Sequence, residues 1–229
     1  MQIPFRSGPI DLARQVIRVT ASTAREQGAL LRAIHRMPTP VPWDWAAPRL
    51  IPLLSGPRFD EPGMPLVRLA SDLGPAVEFG LDLGGVFALV DQAVADRWEC
   101  SANQLMARGM VNLRERAARI DADRVITGVV SGRSIRLLRD RPAWASSVLL
   151  DTASTTRLFG SHDQALAAPQ RGIVVSVPID TSEPVAAEIV IELEGSSLTS
   201  LFLDPFFLED GVLRWVGNAM GEMEDDAWD

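Results

Sequence analysis

The stretch AVEFGLDLGGVFALVD, residues 76–91, decides how this chain folds. Residues 76–83 alternate in part between apolar and other side chains, Gly84 and Gly85 punctuate, and residues 86–90 form an almost unbroken apolar run. Period-two alternation belongs to a strand because successive side chains point to opposite faces, and paired glycines favour a reversal. The stretch therefore predicts two strands around a turn. The second, apolar on both faces, is expected to be a central, doubly buried strand.

Downstream, ECSANQLMARGMVNLRERA, residues 99–117, holds the sole cysteine. Ser101 and Gln104 stand in capping-box spacing, so that each side chain satisfies an orphan backbone N–H at a helix start. In that register Cys100 precedes the cap and Leu105 is the fourth helical residue, the two positions of a hydrophobic staple. Leu105, Gly109, Leu113, Ala117 and Ile120 then share one side, flanked by Met106 and Met110, while Arg108, Glu115 and Arg119 point elsewhere. A thiolate stabilised by the helix dipole is the functional alternative for Cys100. Its usual partner is an imidazole, and the two histidines, His35 and His162, are remote in sequence. Cys100 is expected to be a small apolar plug.

Working outward, DRVITGVVSGRSIRLLRD has the form of a hairpin about Ser131-Gly132. The arginine-dense run from Arg133 to Arg141 is expected to be an exposed edge strand guarded by charge. A helix from Pro142, a short amphipathic helix and loop in residues 152–170, and a central strand in GIVVSVPID follow. In TSEPVAAEIVIELEG, Ser182 and Pro184 suit a helix start while EIVIEL alternates, so helix is predicted at the start only. Asp210-Gly211 marks a last hairpin. The acidic residues 221–229, ending near Trp228, are expected to be a disordered tail.

On the N-terminal side, RLIPLLSGPRFDEPGMPLVRLASDLG predicts a short apolar segment, a Gly/Pro loop and a short helix. Residues 38–48 contain four prolines with Trp43 and Trp45, which predicts an extended strap. Its rings either cover the core or dock a protein partner. Residues 10–37 show helical spacing, with Thr23 and Glu26 suited to cap a second helix.

Composition narrows the chemistry. The chain of 229 residues carries net charge −8, against a nucleic-acid surface, and its 22 basic residues are all arginine. Without lysine there is no Schiff-base amine, pyridoxal-phosphate anchor or P-loop cation. One cysteine and two histidines cannot form a four-ligand thiolate and imidazole zinc site. A lone thiol suits a reducing compartment, no apolar run approaches a bilayer span, and the first residues lack a signal pattern. A cytoplasmic location without membrane contact is the expectation.

Two clusters contain reactive residue types. Ser161, His162 and Asp163 have the residue types of a hydrolytic triad, but triads are assembled from separated segments. A solvated loop capping the next helix fits better. Asp82, Asp91 and Asp180 near strand ends suit a divalent cation in principle and ordinary turn chemistry in practice.

RLIPLLSGPRF, MPLVRLASDLGPAVEFGLDLGGVFALVDQ and ADRWECSANQLMARGMVNLRERA, with the polar-apolar pair Asn112-Leu113, occur in an order that resembles the YtpQ-like family of bacterial proteins of unknown function. GIVVSVPID is similar to that family's late strand. The resemblance covers a little under half the chain, clearest over residues 49–115. Residues 1–48, the last hairpin and the tail depart from the family pattern. It implies a compact mixed fold and brings no catalytic residue.

The fold expected is α+β, a largely antiparallel mixed sheet with helices packed on it, preceded by N-terminal helices. Residues 1–48 form a helical segment and strap, residues 49–220 the principal domain, and residues 221–229 the tail. The functional expectation is a non-enzymatic protein-interaction or regulatory module using Trp43, Trp45 and Trp228, with no metal and no cofactor. The alternatives are a hydrolase or metal-dependent enzyme centred on His162 and nearby carboxylates, and a self-associating structural subunit forming homo-oligomers.

Overall fold

The computed structural model describes residues 10–12, 15–17, 28, 32, 35–55, 66–70, 75–84, 87–130, 132–139, 144–194, 201 and 205–215. The architecture is α+β, with antiparallel sheets and helices packed on them. Strands β1 (Ile10–Leu12) and β2 (Gln15–Ile17) pair as an antiparallel hairpin. Helix was expected there. The segment is rich in Ile and Val, which lose side-chain freedom in a helix and suit a strand. Gly28, Arg32, His35 and Arg36 do have helical backbone.

A small antiparallel sheet comprises β3 (Leu50–Leu54), β4 (Arg68–Ala70), β5 (Ala76–Asp82) and β6 (Phe87–Leu89). The two strands predicted in residues 76–91 are both present, but the central one is β5. It pairs with β3 along one side and with β4 and then β6 along the other. β6 is nevertheless buried, since Phe87 and Leu89 enter one core cluster and Ala88 another. An unbroken apolar run thus reports two covered faces and not a middle position. β4 stands within the segment expected to hold a short helix, because its three residues complete the free edge of β5.

The prolines did not keep residues 43–49 extended. Trp43–Ala46 is one helical turn, α1, with Pro42 as its N-cap, and a 3-10 turn continues through Ala47–Arg49. Proline is harmless at a helix start, where its missing N–H has no intrahelical acceptor. Helices α2 (Gln92–Arg97) and α3 (Ala102–Ala117) follow the small sheet. α3 lies along β3, with Leu113 and Ala117 in the main core and Leu105 in the neighbouring cluster.

The larger sheet has six antiparallel strands, β7 (Val125–Val130), β8 (Arg133–Arg139), β9 (Gln164–Gln170), β10 (Ile173–Pro178), β11 (Phe206–Glu209) and β12 (Val212–Trp215). Their order is β12-β11-β9-β10-β8-β7. A 3-10 segment, Ala145–Leu150, and helix α4 (Thr152–Phe159) close the main core between the sheets. Helix α5 (Glu183–Glu194) covers the opposite face. Leu166, Ala168 and Val174 face the main core, whereas Ala167, Val175 and Val177 pack with Ile189 of α5. Both faces are covered, which is why GIVVSVPID reads as continuous apolar sequence.

Four expectations change here. The arginine strand β8 is internal and β7 is the edge. β8 tolerates its arginines because Arg133 and Arg139 are exposed at its ends, while Arg136 turns its guanidinium onto the Phe159 and Leu158 carbonyls that end α4. β9 forms from residues expected as loop, since alanines pack between sheet neighbours despite weak strand preference. α5 is helical throughout because Val185, Ile189 and Leu193, four apart, meet the sheet. The segment before α4 is 3-10 from Ala145, and Pro142 lies outside the described residues.

Candidate functional site

At the start of α3, Ser101 Oγ accepts the Gln104 backbone N–H at 3.3 Å and Gln104 Oε1 accepts the Ser101 N–H at 2.8 Å. The two side chains form a capping box. Cys100 packs against the cluster containing Leu105, and its thiol donates to the Trp98 carbonyl at 3.4 Å. Burial, then the neighbouring Glu99 carboxylate, pushes the thiol pKa up. Both effects oppose the thiolate.

Trp43 and Trp45 are half-buried and packed on the same cluster. The Trp43 ring lies 5.5 Å from that of Trp98, tilted by 54°. Arg49 stacks over Trp45 at 4.1 Å and donates to its carbonyl at 2.7 Å. Trp228 and the acidic tail lie outside the described residues.

Ser161 and His162 are exposed in the turn between α4 and β9. Asp163 accepts the Asp210 N–H at 3.1 Å, which ties that turn to the β11–β12 hairpin. Among the described residues no group of three or more His, Cys, Asp or Glu side chains stands close enough to hold a metal ion. Asp91 caps α2 by accepting the Val94 N–H at 2.7 Å, Asp82 pairs with Arg116, and Asp180 is exposed. These three aspartates do not converge.

Two arrangements escaped the sequence reading. In the first, Glu78 of β5 is 1% exposed. It accepts the Ser55 hydroxyl at 2.8 Å, Arg68 at 3.3 Å and, from the β9–β10 turn, Arg171 at 3.3 Å. This charge network joins the two sheets. Glu78 lies in the first of the two predicted strands, the one not expected to be doubly buried, so its burial had no signal in the sequence; once buried, its carboxylate needs a cation.

The second is a cleft of about 470 Å³ where the C-terminal half of α3 passes the end of β5. Its floor includes Asn112 and Trp144, and its rim Asp82, Glu115, Arg116 and Arg119. Asn112 is 3% exposed and donates to the Ala47 carbonyl at 2.7 Å and the Leu50 carbonyl at 2.8 Å. Arg116 is held by Asp82 and by the Pro48 carbonyl at 3.4 Å. Of the cleft's lining residues, Glu115 and Arg119 are the two that the helical periodicity places away from the apolar side of α3.

One apolar surface also remains. β7 ends the large sheet, carries no charged side chain, and leaves Ile126 57% and Val129 72% exposed. No described strand pairs with its outer edge. Among the described residues, no helix is long and apolar enough to cross a membrane.

No family model matches the chain. Over 173 residues it is 23% identical to UPF0354 protein BH3252 of Halalkalibacterium halodurans. The match takes in 72% of this chain and 63% of that protein. The relative belongs to an uncharacterised family and its name specifies no activity, substrate or partner. No solved structure matches.

Proposed function

We propose that this protein is a non-enzymatic, cytoplasmic interaction module of the YtpQ-like kind, which receives an extended segment of another protein along β7. The observation that carries this reading is the uncharged edge strand with Ile126 and Val129 in solvent. Edge strands present unpaired backbone N–H and C=O groups and are usually blunted with charge or proline; an unguarded one is a template for strand addition. Chemistry on the enzyme side is weakly provided for. The thiol is held protonated, Asp91 and Asp151 are consumed as caps, and His162 stands in solvent. Trp45, half-buried under Arg49, adds a second contact in this reading.

The same edge equally suits a second copy of the chain, which is the self-associating reading. Sedimentation of the purified protein separates the two, a monomer favouring a foreign partner. The test of the edge itself is Val129→Lys. At so exposed a position the change alters stability by less than about 0.5 kcal/mol. The variant is expected to lose the proteins that wild type captures from its host extract, or its own dimer. Unchanged capture and unchanged sedimentation would remove β7 from the proposal.

A further inference from the structure

We infer that the cleft beside α3 binds a small zwitterion, a free amino acid or a dipeptide, on a surface separate from β7. Two polar atoms of its lining have no partner among the described residues. Asn112 spends both amide hydrogens on the Ala47 and Leu50 carbonyls, and its Oδ1 receives no hydrogen bond from any described residue. Trp144 is 4% exposed, and its indole N–H donates to no described residue. Neither atom is sealed from solvent, so in an accessible cleft they stand open, one as acceptor and one as donor, to a ligand offering the converse.

The rim supplies charge of both signs. Arg116 is committed to Asp82, whereas Arg119 and Glu115 make no ion pair with any described residue. Glu115 stands in the last turn of α3 and Arg119 in the turn that follows it, four residues on. A simple anion would meet the Glu115 carboxylate, and a simple cation the Arg119 guanidinium. A molecule with both charges meets neither penalty. Its carboxylate takes the fork of Arg119 and the Trp144 N–H, and its ammonium takes Glu115 and Asn112 Oδ1. Buried Ile120 and the ring of Trp144 provide an apolar wall for a hydrophobic side chain. The volume lies within the range of small-molecule sites.

The test uses the six tryptophan indole N–H signals of the ¹⁵N-labelled full chain, with that of Trp144 assigned through Trp144→Phe. L-leucine and L-leucyl-L-leucine are titrated beside L-leucinamide, which lacks the carboxylate, and N-acetyl-L-leucine, which lacks the ammonium. A saturable shift of the Trp144 signal with a zwitterion, and not with either blocked form, is expected. The tighter of the two identifies amino acid or dipeptide. Arg119→Gln and Glu115→Gln, both at exposed positions, should each weaken binding by about tenfold or more. If Trp144→Phe does not fold, calorimetry on wild type, Arg119→Gln and Glu115→Gln gives the same discrimination. Absence of saturable binding by both zwitterions overturns the inference, as does equal binding of the blocked forms.

Discussion

At Cys100 the same neighbours that close the end of α3 decide the chemistry of the thiol. Because its pKa is raised, less thiolate is present near neutrality than in the unfolded chain. Iodoacetamide is therefore expected to alkylate the native protein more slowly than the urea-unfolded protein at pH 7.5, as followed by mass spectrometry. An equal or faster native rate would return the thiol to the list of nucleophiles. Asp151 shows the opposite sign. Burial pushes its carboxyl up, but hydrogen bonds from Ser154 and Arg114, the latter at 2.9 Å with its charge, outweigh burial and hold the pKa below the usual value. A depressed folded pKa stabilises the native state fully above the unfolded value of about 3.9 and less as pH falls through the folded pKa. Wild type should accordingly lose stability on acidification across that window, and Asp151→Asn should show a shallower loss by denaturant titration. Ser101→Ala removes a cap worth about 1 kcal/mol.

Among elements, the seam between α3 and β3 is the tightest. A Cβ built on Gly109 would stand 3.0 Å from Pro52 Cδ and 3.3 Å from its backbone nitrogen. Both are parts of a rigid ring in a fully buried strand, so the neighbour cannot swing away. Gly109→Val is expected to destabilise by about 1–3 kcal/mol through overpacking, read from the urea midpoint. A neutral outcome would mean that the helix shifts freely on the sheet. The β11–β12 hairpin shows a different local rule. Asp210 and Gly211 have φ of 50° and 74°, the left-handed pair that matches strand twist in a two-residue turn.

Across the whole molecule, arginine side chains act as clamps between elements. Arg108 and Arg116 reach carbonyls at Ala47 and Pro48, Arg157 reaches the Ile120 carbonyl at 3.0 Å, and Arg136 closes the end of α4. A planar fork of five donors suits carbonyls at helix ends better than a lysine ammonium does. The Glu78 network does the same work between the two sheets. Arg171→Leu leaves a nearly buried carboxylate with less compensation and should cost about 3 kcal/mol, the low end for a broken buried pair because Arg68 remains. Replacing Glu78 and Arg171 together by Leu should recover part of that loss. If the double variant is no more stable than Arg171→Leu, the pair does not couple.

Local signals were legible wherever a few adjacent residues decide the outcome. The capping box at Ser101, the turns at Gly132 and Asp210-Gly211, and the apolar strands of residues 76–91 and 173–178 all follow from contacts within a turn or from face periodicity. What stayed hidden depends on neighbours remote in sequence. Whether EIVIEL is helix or strand was settled by the sheet face awaiting Ile189, and whether the arginine strand lies inside by an α4 terminus able to take Arg136. The polar cleft is likewise a product of assembly, since Asn112, Asp82 and Trp144 belong to three separate segments. Sequence alone determined the class of fold and its punctuation, because propensities and periodicity are short-range quantities. Strand order, the free edge at β7 and the cleft were decided only in three dimensions, where burial and charge pairing act between segments that the chain keeps far apart.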